Sequence, residues 1–240
     1  MLKLFFDFCY FCSFFIPNRR WREDFRINKL FDYRRKLDAL RHARPELDFR
    51  KIRLAKGGGS LVFIIDNDTF KVRKYFHETK EFARFVKEKR ITDAIRPFCT
   101  IEIPNIKFFE SDGFTFYETR TIPGKMLVDM PTHKIKKHQK QISKQLAEFI
   151  YKKSLTDPKE ISDLKTLPTA PGYSWVHGDM CSNIMVDPKT MKITGIIDWE
   201  WAKYKEIDKE FRGLVWVRKK MQKIGLDKTT RTEYEKLVNK

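Results

Sequence analysis

The chain has 240 residues, 41% of them hydrophobic and 34% charged, which excludes a wholly disordered, collagen-like or polytopic membrane protein. At about 150 residues per domain, the length suits one domain or a two-lobed unit. With 50 Lys and Arg against 32 Asp and Glu, the net charge is +18, so anions are the expected partners: nucleic acid, acidic lipid or phosphorylated substrate.

Residues 1–56 carry 15 basic and 7 acidic side chains, and residues 57–240 carry 35 and 25. The first segment is also the most apolar at its start, unlike a polar nucleic-acid tail. Residues 2–16 read LKLFFDFCYFCSFFI. The run is shorter than the roughly 20 residues of a transmembrane helix, and no small-residue cleavage site follows it, so it is not a signal peptide. Arg19, Arg20, Arg22 and Arg26 come next, with Trp21 and Phe25 among them. Two readings stand: an arm lying on an anionic membrane surface, or an apolar arm packed on its own domain or on a partner. Cys9 and Cys12 form a C-x-x-C, but with Cys99 and Cys181 they are too few for a disulfide framework. No second pair or His cluster completes a zinc site, and a reducing cytosol is the expected compartment. Residues 28–50 carry Leu30, Phe31, Tyr33, Leu37 and Leu40 at helical spacing, which predicts a linker helix before Pro45.

From Lys51 the pattern alternates. KIRLAK, a GGGS turn, LVFIID, a turn at Asp66–Asn67–Asp68, and TFKVRKYF read as three strands. Three glycines in a row allow close backbone approach and leave amides free for phosphate oxygens. Residues 77–96 read as a helix ended by Pro97. IEIPNIKFFE and FTFYETRTI then read as two more strands around Ser111–Asp112–Gly113. The expected organisation is an arm and linker over 1–50, a small antiparallel-sheet lobe over 51–121 and a mainly helical lobe over 122–240. Residues 134–153 form an amphipathic helix, 154–172 an irregular connection, and 216–226 a last helix.

The stretch from Ser174 to Phe211 carries the chemistry. It holds His177-Gly178-Asp179, then Asn183 in NIMVD, a DPKT turn, KITGII and Asp198-Trp199-Glu200. Two carboxylates bracket a tight hairpin that folds them back toward each other. Phosphoryl transfer uses such a set: an Asp near the acceptor hydroxyl, an Asn and an Asp for Mg²⁺, and a lysine on the phosphates.

These signatures, in this order, resemble the aminoglycoside phosphotransferase and choline kinase family over roughly residues 52–212. The resemblance implies an α+β, two-lobed protein-kinase-like fold and an ATP- and Mg²⁺-dependent kinase. It gives Asp179 the catalytic role, orienting or deprotonating the acceptor hydroxyl, and gives Asn183 and Asp198 the Mg²⁺. Lys71 would contact the α- and β-phosphates with Glu88 as its partner, and Gly57, Gly58, Gly59 and Ser60 would cover them. Thr119, Arg120, Thr121 and Ile122 would form the hinge that meets adenine, while His177 and Asp208 would tie the loop to the following helix. Only Met180, Cys181 and Ser182 separate Asp179 from Asn183, where the family usually has four residues; Ser182 or a water is the substitute ligand. The segment FIPNRRWREDFR also resembles the start of some bacterial cell-envelope glycan enzymes. A polycationic aminoglycoside suits a chain of +18 poorly. The expected acceptor is an anionic sugar or lipid-linked glycan such as a lipopolysaccharide or capsule precursor, handled in the cytoplasm or on the inner face of the membrane. No nucleic-acid partner is expected, because no recognition motif appears. The alternative is a membrane-associated, nucleotide-binding pseudokinase or scaffold.

Overall fold

Alternating apolar residues in the first half form five strands. A computed structural model describes residues 8–9, 11–18, 21–22, 25, 32–55, 60–73, 78–156, 172–215 and 219–239. The strands are β1 (Arg53–Ala55), β2 (Ser60–Ile65), β3 (Asp68–Arg73), β4 (Lys107–Ser111) and β5 (Phe114–Arg120). They pair antiparallel in the order β1-β2-β3-β5-β4. Period-two spacing buries Phe63 and Ile65 of β2, Phe70 and Val72 of β3, and Phe114 and Phe116 of β5 in one core. The helix expected between arm and domain is α1 (Asp32–Ala43), and it adds Leu37, Ala39 and Leu40 to that core. The two-residue link between β4 and β5 is Asp112–Gly113, with φ of +50° and +77°. Positive φ at both positions matches the twist of a tight hairpin, and Asp-Gly tolerates it.

By its internal contacts the chain divides into residues 1–82 with 106–121 and residues 83–105 with 122–240, so it passes between the units after Phe82, Asn105 and Thr121, and residues 83–105, expected in the sheet lobe, group with the second unit. The second unit holds most of α2 (Glu78–Ile95), then α3 (Thr132–Lys137), α4 (Gln139–Ser154), α5 (Asp208–Gly213), α6 (Lys219–Ile224) and α7 (Leu226–Val238). Two small antiparallel sheets sit among these helices. One is β6 (Lys125–Met126), β8 (Ile184–Val186) and β9 (Ile193–Ile196); the other is β7 (Tyr173–Val176) with β10 (Lys203–Glu206). Ile142, Leu146, Phe149 and Ile150 recur at i, i+4, i+7 and i+8 along α4 and face Trp175, Ile184, Ile196 and Trp199 in a second core. Of the helix expected over 216–226, α6 is the described part, and residues 216–218 lie outside the described residues. Gly225, at φ +70°, separates α6 from α7, and that left-handed step ends one helix before the next starts. The irregular connection expected over 154–172 lies mostly outside the described residues.

The architecture is α+β, an antiparallel sheet followed by a helical part, as the sequence suggests.

Candidate functional site

The loop after β7 is organised around a buried imidazole. The main-chain N–H of His177 donates to Glu210 Oε2 at 2.8 Å. Its ring Nε2 lies 2.9 Å from the carbonyl of Ile197, and Nδ1 lies 3.2 Å from the amide nitrogen of Asp179. A carbonyl only accepts and an amide only donates, so the proton sits on Nε2 and Nδ1 is the acceptor. Burial pushes the His177 pKa below its ordinary value, against the pull of Glu210, the Ile197 carbonyl and Asp198. A neutral ring thus bolts the loop to the end of β9.

Gly178 has φ +88°, and a Cβ there would lie 2.8 Å from the Trp201 carbonyl oxygen. Asp179 follows, half-buried, and its carboxylate has no hydrogen-bond or ion-pair partner among the described residues. The three residues Met180–Ser182 close as one 3-10 turn. Asn183 returns onto Asp179: its side-chain Nδ2 donates to the Asp179 carbonyl at 2.7 Å. The shortened loop therefore keeps Asn183 beside the residue it follows.

Asp198 sits just past β9 in the left-handed region, φ +66°, where a residue with a Cβ is uncommon and strain of the order of 1–3 kcal/mol points to function. Its neighbours are held on both sides. The Ile197 N–H donates to the Asn183 carbonyl at 3.0 Å, while the Ile197 carbonyl accepts from His177. The Trp199 N–H donates to Glu88 Oε1 at 3.0 Å, and Glu88 is fully buried on α2. Asp179, Asn183 and Asp198 thus belong to one hydrogen-bonded set in the second unit.

Beneath it lies a pair the sequence did not announce. Lys153 Nζ donates to Glu210 Oε1 at 2.8 Å and to the Trp175 carbonyl, with both side chains no more than 1% exposed. Glu210 is the residue that ties the loop to α5. Asp208, expected in that role, is exposed and pairs with Arg231 at 2.8 Å. A signal existed for Lys153: it continues the buried stripe of α4, four residues after Phe149. Glu210 carries none in so charged a stretch.

In the first unit, Lys71 lies half-buried in β3 between Val62 and Tyr117, with Nζ 4.8 Å from the centre of the Tyr117 ring. Ser60 opens β2 and is buried. Thr119 and Arg120 end β5; the Thr121 N–H donates to the Asn67 carbonyl at 2.6 Å, and its hydroxyl is 2.8 Å from that of Thr69. Ile122, in the second unit, is buried against Gly195, where a Cβ would come within 2.5 Å of its Cγ2. Gly57, Gly58 and Gly59 lie outside the described residues. In the arm, Phe8, Phe11, Phe14, Phe15 and Trp21 are exposed, and the described residues contain no helix long and apolar enough to cross a membrane.

Comparison with known proteins agrees with this geometry. Residues 104–219, which include the loop, Asn183 and Asp198, match the model of the phosphotransferase enzyme family. No curated protein matches the chain. The GDP complex of aminoglycoside 2'-phosphotransferase-IIIa superposes with a TM-score of 0.64 at 14% identity, over 84% of this chain and 82% of that one. A macrolide 2'-phosphotransferase from Brachybacterium faecium gives 0.60 at 12% identity, over 83% and 82%. Aminoglycoside phosphotransferase APH(3'')-Id from Streptomyces rimosus gives 0.60 at 15% identity, over 85% and 92%. In its matched segment and its fold, the chain is similar to the phosphotransferase enzyme family.

Proposed function

We propose that this chain uses ATP and Mg²⁺ to phosphorylate a hydroxyl of a sugar or glycan that is anionic or lipid-linked, such as a lipopolysaccharide or capsule precursor. The observation that carries the reading is Asp179: a half-buried carboxylate with no described protein partner, on a loop locked by His177 and Asn183. That carboxylate accepts the acceptor hydroxyl's proton, or its hydrogen bond, as the oxygen attacks the γ-phosphorus. Asn183 and Asp198 offer the amide and carboxylate oxygens that Mg²⁺ takes. With Nδ2 engaged on the Asp179 carbonyl, the same amide keeps Oδ1 for a metal. When bound, the metal neutralises charge on the transferring group. Lys71 holds the α- and β-phosphates, and Gly57 to Ser60 cover them. The backbone of Thr119 to Ile122 meets the adenine.

The solved structures that share this fold include an APH(2")-IIa ternary complex with streptomycin and ATP. That supports a nucleotide and a sugar-like acceptor; the charge of +18 selects an anionic acceptor over a polycation. The exposed arm aromatics and the neighbouring arginines suit the inner face of a cytoplasmic membrane. The test is mass spectrometry of an envelope-glycan extract incubated with the protein and labelled ATP. Metal-dependent label on a glycan supports the reading. ATP binding without turnover on any glycan overturns it in favour of a nucleotide-binding scaffold.

A further inference from the structure

Beside the loop lies a group of cations that the phosphoryl-transfer set does not use. Arg84 and Lys87 are on consecutive turns of α2, one turn before Glu88 and beside it. The Arg84 guanidinium carbon is 4.8 Å from the centre of the Trp201 ring. Trp201 remains 48% exposed, so one face of the indole is open to a ligand. Its place is fixed at the site: the Trp201 carbonyl and Cβ pack on Gly178, the residue before Asp179. Lys203 starts β10, opposite Val176, the residue before His177. Arg84, Lys87 and Lys203 form no ion pair with any described carboxylate. Burial lowers the Lys87 pKa first, then repulsion from Lys203 and Arg84; Glu200 alone opposes this. Three like charges therefore lie near one another with Glu200 as the one carboxylate acting on Lys87, and a bound anion would relieve their repulsion.

We propose that Arg84, Lys87, Lys203 and Trp201 form an acceptor subsite that takes a sugar carrying a phosphate or carboxylate. The anion sits among the three cations in charge-assisted hydrogen bonds, and the sugar's apolar face packs on the exposed indole. The subsite rests on the phosphotransferase reading and deepens it. It supplies the charge selection expected of the acceptor and places the recognised group next to Asp179 through Gly178.

The test is calorimetric titration of the full chain with three probes: glucose, glucose 6-phosphate and glucuronate. The wild type should bind the two anions at least tenfold more tightly than glucose, with the difference shrinking as salt rises. Arg84→Gln and Lys203→Gln should each reduce that preference about three- to tenfold. Trp201→Ala should weaken all three probes. Equal binding of the charged and neutral sugars by the wild type overturns the subsite. So does a preference that survives both charge substitutions in protein with an unchanged circular dichroism spectrum. Stoichiometric displacement of glucose 6-phosphate by ADP also overturns it, by assigning the cations to the nucleotide. ATP titration of the wild type is run in parallel: failure to bind ATP counts against the phosphotransferase reading, and failure to prefer anionic sugars while binding ATP counts against the subsite alone.

Discussion

His177 holds the loop, and in the proposed reaction Asp179 meets the acceptor hydroxyl. Replacing Asp179 by Asn keeps size and shape but removes the proton acceptor. Transfer should fall on the order of 10²- to 10⁴-fold, the range for a positioned acid–base group, while ATP binding persists. Turnover near the wild-type rate would place the chemistry elsewhere. His177 gives a different signature. Its folded-state pKa is depressed by burial, so the folded protein holds the ring neutral. The unfolded chain protonates it near 6.5. Stability from this residue is complete above that value and is lost as pH falls below it, because the unfolded state then binds the extra proton. The melting temperature should drop between pH 7 and pH 5, and His177→Asn should start lower but decline less. Parallel declines would show that other groups dominate the acid response. That Asp179, Asn183 and Asp198 would be brought together by one loop and hairpin was legible from their order along the chain. Glu210 was not: in KEIDKEF its neighbour Asp208 looks as good, and only the packing of α5 against the loop tells the buried carboxylate from the exposed one.

The elements repeat that lesson with their own periods. Alternation reveals β3 and β5, while β2 shows itself as the continuous apolar run SLVFII between the glycine turn and Asp66–Asn67–Asp68. The α4 stripe was legible for the same reason, yet it hid Lys153, a charge on the buried face. The break at Gly225 was illegible, since apolar residues continue at helical spacing on both sides and only the positive φ interrupts them. Lys153 is what joins α4 to α5. Replacing it by Met leaves the Glu210 carboxylate buried without its cation. Breaking such a pair from one side typically costs about 3–5 kcal/mol, and urea unfolding should show a loss of that order. The double change Lys153→Met with Glu210→Gln should be less costly than the single one, because a neutral amide oxygen still accepts from the His177 N–H. Equal losses in the two variants would mean that the cost lies in packing around α4 and not in the orphaned charge.

On the scale of the whole molecule, the excess of positive charge and the exposed arm point the same way. Phe8, Phe11, Phe14, Phe15 and Trp21 are between 55% and 73% exposed, an apolar display that water alone does not favour. The sequence around Trp21 adds Arg19, Arg20, Arg22 and Arg26. Burial of the aromatic faces at a bilayer interface contributes at roughly 25 cal/mol per Å², and each arginine adds about 1 kcal/mol against anionic lipid. Together these suffice for reversible surface binding, and they act differently: salt weakens the arginine share and leaves the aromatic share intact. Full-length protein should therefore co-sediment with vesicles rich in phosphatidylglycerol, in part even at high salt, and a chain starting at Asn28 should stay in the supernatant. If both sediment equally, the rest of the +18 surface is the binder. If neither does, the arm serves its own domain, and its removal should then lower the melting temperature.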